Sequence, residues 1–472
     1  RTQLDEFLKE RFVFFQEATR RSGMVRVKSH QLSTESQQQE SRYNGHVIVE
    51  ISAPDAPFIV VTVEALMRKM ELLIHRKLHP IMGVVLSAEK EIEAVIYPEE
   101  KMDKFDHLYL EIEADTDIVF LKRLETLIAG HMLAVQLVRN HRQKMQQSLT
   151  SMQTEIESVT VVSADTKGEW SKLCGWLNLD NFTVMGFISF LQSDSDSADF
   201  IKTVENSGHG ILAAEYIEKT SNILLNVLTA HLWKRRHSDF PFALDRVNFP
   251  SPVLRFENLM ALSLRIPDAK LGMVEHVFLG LLRGSSLNVK NTETPLIHQK
   301  MRYIFENRNM LENSYNYNEV VRIFGATPKF ELFRSSRKEL IQICDDLLSV
   351  NNPNNIHCFQ IDTRNSGILK LMVVMPTSLL NEEAIEQMAD FLKAKIPHQN
   401  CEWFEARGSE KSRLHFEFEL QEDLQGKSDL PSFDLLLLEG EISVLIKPWE
   451  TQLRELLRNQ HPGEEGAQLY ER

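Results

Sequence analysis

Chemistry needs particular side chains at particular spacings, and this 472-residue chain offers few. Its one match to a dinucleotide fingerprint is Gly208-His209-Gly210-Ile211-Leu212-Ala213, a GxGxxA. Such a loop works after a buried strand and at the start of a helix, where the glycines let backbone approach a pyrophosphate. The residues before it, Ile201–Ser207, are polar and read as no clear strand, so an ordinary loop is the better reading. No GxxxxGK[ST], HExxH or GxSxG occurs, and no two glycines are adjacent. His75 and His79 are spaced for a metal on a helix. Their surroundings read as a strand, where four residues separate them by about 13 Å, so a structural role is expected and no metal. Glu111, Glu113 and Asp115 alternate along a strand, which reads as a charged outer face and not as an acid/base pair. Lys234-Arg235-Arg236 is too short a basic run to bind nucleic acid in so acidic a chain. We expect no catalytic residue and no cofactor site within the segment.

Elements that would position such groups are legible by periodicity. Leu4, Phe7, Leu8, Phe12 and Phe15 recur at helical spacing, which predicts an amphipathic helix that packs on its own domain or serves a subunit interface. The polar tract Gln31–Arg42 reads as a linker. His46–Ile51 reads as a buried strand, with Asp55 expected to cap the following helix and Pro57 in its first turn. Strand signals follow over Leu72–Leu86 and His107–Glu113, then a helix from Asp117 to about Met145, with Gln146–Glu155 as its frayed end or a linker. That order is what a ferredoxin-like α+β module gives. A middle domain begins near Ser158, with a helix ending near Asn178, a strand over Phe182–Leu191 and the acidic-serine loop Ser193–Asp199. A helical stretch over 219–236 follows, then strands over Leu254–Ile266 and Met273–Leu282, and helices over Pro295–Leu311 and Asn318–Phe324. From about Phe330 a helix, two strands, a helix and two more strands make a second α+β module, its order a permutation or relative of the first. A helix near Trp449–Arg458 and the polar tail His461–Arg472 end the chain.

Composition narrows the classes. The chain holds 53 Lys and Arg against 67 Asp and Glu, a net charge of −14 and a pI near 5.7. This argues against nucleic acid, which calls for a basic face. No apolar run approaches a membrane span, and no signal peptide is apparent. The cysteines Cys174, Cys344, Cys358 and Cys401 lie far apart, which points to neither disulfides nor zinc and makes the cytoplasm the default. Glycine is scarce at 19 residues, against the usage of phosphate-binding folds. The sequence opens on Arg1, so we expect a processed chain or a piece of a longer one.

Several strings are more specific. Val49-Glu50-Ile51-Ser52-Ala53-Pro54-Asp55-Ala56-Pro57-Phe58-Ile59-Val60, then His79-Pro80, then Leu108-Tyr109-Leu110-Glu111-Ile112-Glu113, resembles the N-terminal region of the large bacterial NAD-dependent glutamate dehydrogenases. Trp176-Leu177 with Asn181-Phe182-Thr183-Val184-Met185-Gly186-Phe187 resembles that family's WL…NFTFLGY element, and Phe278-Leu279-Gly280-Leu281 its FLGL strand. Glu331-Leu332-Phe333 resembles the end of its PRDELF. Arg413-Leu414-His415-Phe416 and Trp449…Leu453…Leu457 follow in the family's order, so the likeness is collinear along the chain. Departures mark a divergent member: the family's VHR is Val253-Leu254-Arg255, its PRDELF is Pro328-Lys329-Phe330-Glu331-Leu332-Phe333, and its VPR is Met375-Pro376-Thr377.

The resemblance implies an α+β, multidomain fold with two ferredoxin-like (ACT-like) sheet modules flanking a mixed middle domain. The expected parts are an N-terminal helix and linker (1–42), a first ACT-like module with a long helix (43–150), the middle domain (156–326), a second ACT-like module (327–422) and a C-terminal helical segment (423–472). It implies a non-catalytic regulatory and oligomerisation region, with NAD bound elsewhere in a parent enzyme converting L-glutamate to 2-oxoglutarate and ammonium. Partners would be the parent's catalytic domain, sister subunits and an amino-acid effector, with neither nucleic acid nor membrane. ACT-like modules take ligands where the first strand runs into the first helix. Here that implies Asp55, Ala56, Pro57 and Phe58, where Asp55 would hold an amino group or simply cap, and more weakly Asp362, Asn365 and Gly367 in the second module. The alternatives are a stand-alone ACT-like regulator or scaffold, and an enzyme with a site assembled across domains.

Overall fold

Residues 2–30, 45–88, 91–100, 102–160, 162–192, 201–234, 241–268, 272–352, 354–361, 368–420, 434–447 and 449–460 are described by the structure, a computed structural model. The chain divides into two compact units, Arg1–Ser286 and Leu287–Arg472. The fold is mixed α+β with antiparallel sheets. Among the described residues no helix is long and apolar enough to cross a membrane.

Unit 1 opens with α1 (Thr2–Arg20), β1 (Met24–His30), β2 (His46–Pro54), α2 (Ile59–Lys69), β3 (Leu73–Leu78), β4 (Ile81–Leu86), β5 (Ile92–Ile96), β6 (Asp103–Glu113) and α3 (Ile118–Glu155). The sheet order is β1-β2-β6-β4-β5, with β3 also paired to β6. From His46 to Pro54 all seven inner residues of β2 are buried. A strand reads as a continuous apolar run when both of its faces are covered, and α1 supplies one of the covers. On that face Glu50 is fully buried between the guanidinium groups of Arg11 (2.6 Å) and Arg26 (2.7 Å). Phe7 of α1 meets Tyr109 edge-on at 5.6 Å, and Phe15 meets Phe105 at 6.0 Å. Of the stripe its spacing predicts, Phe7 and Phe15 meet the sheet, while Leu8 and Phe12 do not. Phe14, Phe15 and Ala18 are buried, while Leu8, Phe12 and Val13 are exposed.

The 38-residue helix α3, about 57 Å long at 1.5 Å per residue, serves two sheets. Asp117 caps it, accepting from the amides of Val119 and Phe120 at 3.0 and 3.2 Å. Its Glu125 accepts from the Val27 amide of β1 (2.9 Å), and farther along His141 accepts from the Gly210 amide (3.0 Å). The expected end near Met145 is not observed. Met145, Leu149 and Met152 continue a buried stripe through the polar stretch, and packing of that stripe outweighs the glutamines.

Beyond α3 come α4 (Ala164–Trp176), β7 (Phe182–Gln192), β8 (Ile201–Thr203), β9 (His209–Gly210), α5 (Ala214–Lys219), α6 (Ile223–Lys234), β10 (Phe242–Pro250), β11 (Asn258–Asp268) and β12 (Gly272–Leu282), with a short α7 (Gly284–Asn288) after them. The second sheet runs β10-β11-β12-β7-β8, and β9 pairs with β7. Gly280 sits at an irregularity in the β12–β7 ladder, where a Cβ would come within 2.2 Å of the Thr183 carbonyl oxygen. Only glycine fits that bulge.

Unit 2 contains α8 (Ile297–Asn307), α9 (Tyr315–Ala326), α10 (Lys329–Arg334), α11 (Arg337–Ser349), β13 (His357–Ile361), β14 (Ile368–Pro376), α12 (Glu382–Lys395), β15 (His398–Arg407), β16 (Lys411–Leu420), α13 (Leu435–Leu445) and α14 (Trp449–Gln460). Its sheet is ordered β13-β14-β16-β15. Alternation splits β16 between two faces. Leu414, Phe416, Phe418 and Leu420 enter a core with Met388 and Leu392 of α12 and Leu438 and Ile442 of α13. On the other face Glu417 pairs with Arg334 and with Lys370 (3.2 Å), which also bonds Glu339 (2.9 Å). There too Arg413 donates to the Ile323 carbonyl (3.0 Å) and the Thr327 hydroxyl (2.7 Å), holding the end of α9.

Several expected bounds shift. The strand expected over Leu72–Leu86 is two strands broken at His79-Pro80, since proline lacks the ladder N–H. Strands β1, β5 and β10 were not expected; α13, capped by Asp434, whose carboxylate accepts from the Leu437 amide (3.1 Å), falls in the expected C-terminal helical segment. Leu254 precedes β11, with φ 72° and its amide bonded to the Thr62 hydroxyl (2.9 Å). The expected loop over Ser193–Asp199, the Gln31–Arg42 linker and the His461–Arg472 tail lie outside the described residues.

Candidate functional site

The junction between β2 and α2 is built differently from the expected cap. Phe58, not Asp55, occupies the N-cap of α2, in the left-handed region at φ 81°, and no side chain caps the helix. A bulky residue rarely adopts that conformation, at a cost of about 1–2 kcal/mol. Pro57 lies in the turn before the helix, not in its first turn. The turn is fixed from outside. The Asp55 amide donates to the Lys104 carbonyl (2.8 Å), and Gln136 of α3 donates to the Pro54 carbonyl (2.9 Å). Beneath it lies Asp106, 3% exposed, whose carboxylate pairs with His79 (2.9 Å) and accepts weakly from the Ala56 amide (3.4 Å). Burial, and then the negative charge of Asp55, raise the Asp106 pKa, while His79 opposes the shift.

Pro57 and Phe58 form one wall of a cleft of about 150 Å³. Val138, Leu149, Leu177, Phe182 and Val184 give it an apolar lining, and Arg139, Arg142 and Arg283 give it three cations. Asp180 is the single carboxylate there, with one oxygen 3.2 Å from Arg283 and 3.9 Å from Arg142. Asp180 also has a left-handed backbone, φ 63°. The spacing of Arg139 and Arg142 on one helix was a legible signal. The approach of Asp180 and Arg283 was not, because both come from other elements.

The remaining sequence candidates do not converge. The second-module residues Asp362, Asn365 and Gly367 lie outside the described residues. The described strands on either side, β13 and β14, are antiparallel neighbours with Ile361 opposite Lys370, and the next helix, α12, comes only after β14. His75 faces Glu113 at 3.4 Å and His46 ring to ring at 5.1 Å, whereas His79 serves Asp106. Among the described residues no group of three or more His, Cys, Asp or Glu could hold a metal. Glu111 accepts from the Tyr109 hydroxyl (2.8 Å) and Arg76 (3.2 Å), a cross-strand pairing. Arg235 and Arg236 lie outside the described residues.

The GxGxxA turn has its donors committed. The amides of Gly210, Ile211, Leu212 and Ala213 go to the His141 ring, Met185 O, His209 O and Gly210 O. Gly210 has φ 65°, and a Cβ there would lie 2.0 Å from the Met185 oxygen. Gly210 thus serves close packing against β7, and a Cβ on Gly208 would lie 2.1 Å from the Leu212 oxygen of the same turn. Burial pushes the thiols of Cys174, Cys344 and Cys358 up to about 12, which makes them poor nucleophiles.

Four antiparallel strands in the order β1-β2-β6-β3, with α2 and α3 packed together, define an ACT-type α+β module. Residues 7–128 match the family model described as the glutamate dehydrogenase ACT1 domain, and residues 294–352 match that of glutamate dehydrogenase helical motif 1. An NAD-specific glutamate dehydrogenase of Pseudomonas aeruginosa is 22% identical over 420 residues, covering 87% of this chain and 25% of that protein. One of Halomonas elongata is 18% identical over 416 residues, covering 86% of the chain and 25% of that protein. These matches support a divergent member of the NAD-specific glutamate dehydrogenase family. It spans about a quarter of the length of these curated relatives.

One departure from the family pattern has a visible role. Lys329 stands in place of the arginine of PRDELF. Its buried ammonium donates to Val289 O (2.9 Å), Asn291 Oδ1 (2.9 Å) and Thr294 Oγ1 (2.7 Å), and burial lowers its pKa to about 8.

Proposed function

We propose that this chain is a regulatory and assembly portion of an NAD-dependent glutamate dehydrogenase, and that the chemistry on glutamate and NAD resides elsewhere in the enzyme. The observation that carries the reading is the collinear match of nearly the whole chain to a quarter of each relative, with an ACT domain in it. The committed amides of the GxGxxA turn support it. In this reading the sheet of unit 2 is a second ACT-like module and the β7–β12 sheet belongs to the middle domain between them. The topology favours this. In chain order β13, β14, β15 and β16 take the places of β1, β2, β3 and β6, with α12 and α13 in those of α2 and α3, and both sets read first-second-fourth-third across the sheet.

The effector site is the turn Asp55, Ala56, Pro57 and Phe58 with the cleft beside it. Sister subunits are the assembly partners. Exposed Leu8, Phe12 and Val13 on α1, and Ile81, Val85, Val95 and Ile96 on the β4–β5 hairpin, offer apolar surface for such contacts. The setting is the cytoplasm.

The test has two arms. The 472-residue chain, given glutamate and NAD⁺, is expected to form no NADH, and formation of NADH sinks the reading. An antibody to the chain should detect, in source-cell extract, a polypeptide far larger than 54.6 kDa. A band at that mass would instead favour a stand-alone regulator.

A further inference from the structure

We infer that the cleft beside Pro57 and Phe58 binds a small dicarboxylate, and that Asp180 is the protein's own carboxylate occupying the ligand's place when the cleft is empty. Only the regulatory consequence of this inference rests on the proposed function. The binding chemistry rests on the cleft.

Three arginines around one small cleft are unusual in a chain of net charge −14. Guanidinium groups recognise carboxylates in a planar, bidentate way. Asp180 shows where one carboxylate sits, between Arg142 and Arg283. It sits on an exposed turn in the left-handed conformation that aspartate adopts readily, and its side chain is 63% exposed. A group so placed is displaceable by a soluble carboxylate of the same geometry.

The second anionic group follows from helix geometry. Arg139 precedes Arg142 by three residues on α3, so the two side chains leave one face about 5–6 Å apart. Among the described residues the Arg139 guanidinium bonds the neighbouring Asn140 side chain (3.1 Å) and is paired with no carboxylate. Two carboxylates joined by two or three carbons span that interval. The connecting carbons would lie on Val138, Leu149, Phe182 and Val184. The volume of about 150 Å³ admits a small organic acid. Phosphate shares the arginine chemistry but lacks the apolar body, so it serves as the discriminating arm.

The wall elements give such a ligand a consequence. Phe58 begins α2, Arg139 and Arg142 lie on α3, and Arg283 follows β12. A dicarboxylate would join the first sheet's strand-to-helix turn to the second sheet, replacing the hold that Asp180 now exerts.

The experiment is a calorimetric titration of the 472-residue chain with glutarate, 2-oxoglutarate and L-glutamate, with acetate and inorganic phosphate as controls. One saturable site is expected for the dicarboxylates, much tighter than for either control. Arg139→Gln and Arg283→Gln should each weaken binding about tenfold or more. Asp180→Asn should strengthen it several-fold by removing the competitor, a gain that misfolding cannot mimic. Arg322→Gln, in unit 2, should change nothing. No saturable binding overturns the inference, as does binding that the two arginine variants leave unchanged, or phosphate matching the dicarboxylates. If the dicarboxylates bind as expected while turnover of the parent enzyme ignores the same variants, the site stands and the regulatory reading fails.

Discussion

Four strands of the first sheet of unit 1, β1-β2-β6-β3, and the four of unit 2, β13-β14-β16-β15, run in one spatial order, and both sheets hold a carboxylate between cations on the second face, yet they differ in how thoroughly that carboxylate is dried. In the first, Glu50 is fully buried between Arg11 and Arg26 under α1. In the second, Glu417 is 12% exposed and shares Arg334 with Glu331 and Lys370 with Glu339. Both sites share their cations, since Glu10 also pairs with Arg11 and Arg26, so the difference lies in the burial of the central carboxylate. Desolvation penalises a charge left alone far more than it rewards the pair, so the two sheets should respond unequally to loss of the carboxylate.

Removal of that carboxylate has the largest expected effect. Glu50→Ala leaves Arg11 and Arg26 over a fully buried site with the half-exposed Glu10 as their remaining carboxylate, and should cost about 3–5 kcal/mol. Glu417→Ala should cost less, about 1–3 kcal/mol, because Glu331 and Glu339 still neutralise Arg334 and Lys370. Urea unfolding of the chain measures both, and equal losses would break the comparison.

Acid comes next. His107 on β6 is held neutral by burial and then by Arg11 and Arg26, and its pKa is lowered to about 4. A base with a depressed folded pKa contributes stability above its unfolded value of about 6.5 and loses it as the pH falls toward 4, to as much as about 3 kcal/mol. His107→Phe, which keeps an aromatic ring against Phe14 and Phe15, should flatten stability across that window, as followed by thermal unfolding from pH 7 to pH 4. His415 on β16, also pushed well down by burial and the nearby cations, remains as the internal contrast.

The smallest effect concerns helix entry. Asn381 caps α12, its side chain accepting from the Ala384 amide at 2.8 Å, whereas α2 begins on uncapped Phe58. Asn381→Ala should cost about 1 kcal/mol in the same urea measurement. A neutral result would mean that packing of α12 alone fixes its start.

Much of the scaffold was legible because it depends on local pattern. β2, β6, β7 and β16 carry apolar runs or alternation, and α3 announces its start at Asp117. The misses have physical causes. β1 and β5 are covered on too little of their length to alternate cleanly. α1 presents two apolar stripes, and spacing cannot say which one meets the sheet. The Met145–Met152 stripe of α3 is hidden among glutamines until β7 and β9 cover it.

The sequence by itself determined the class of protein, since collinear strings along the chain carry family membership. It also pointed to the β2–α2 turn, because proline and a strand end mark a turn locally. Only the tertiary structure decided what that turn faces. Asp106 and His79 brace it from a strand and a loop, and Arg139, Arg142, Asp180 and Arg283 reach one cleft from three segments more than a hundred residues apart at their extremes. Charge convergence of that kind depends on distances in space, and no periodicity in one dimension encodes them.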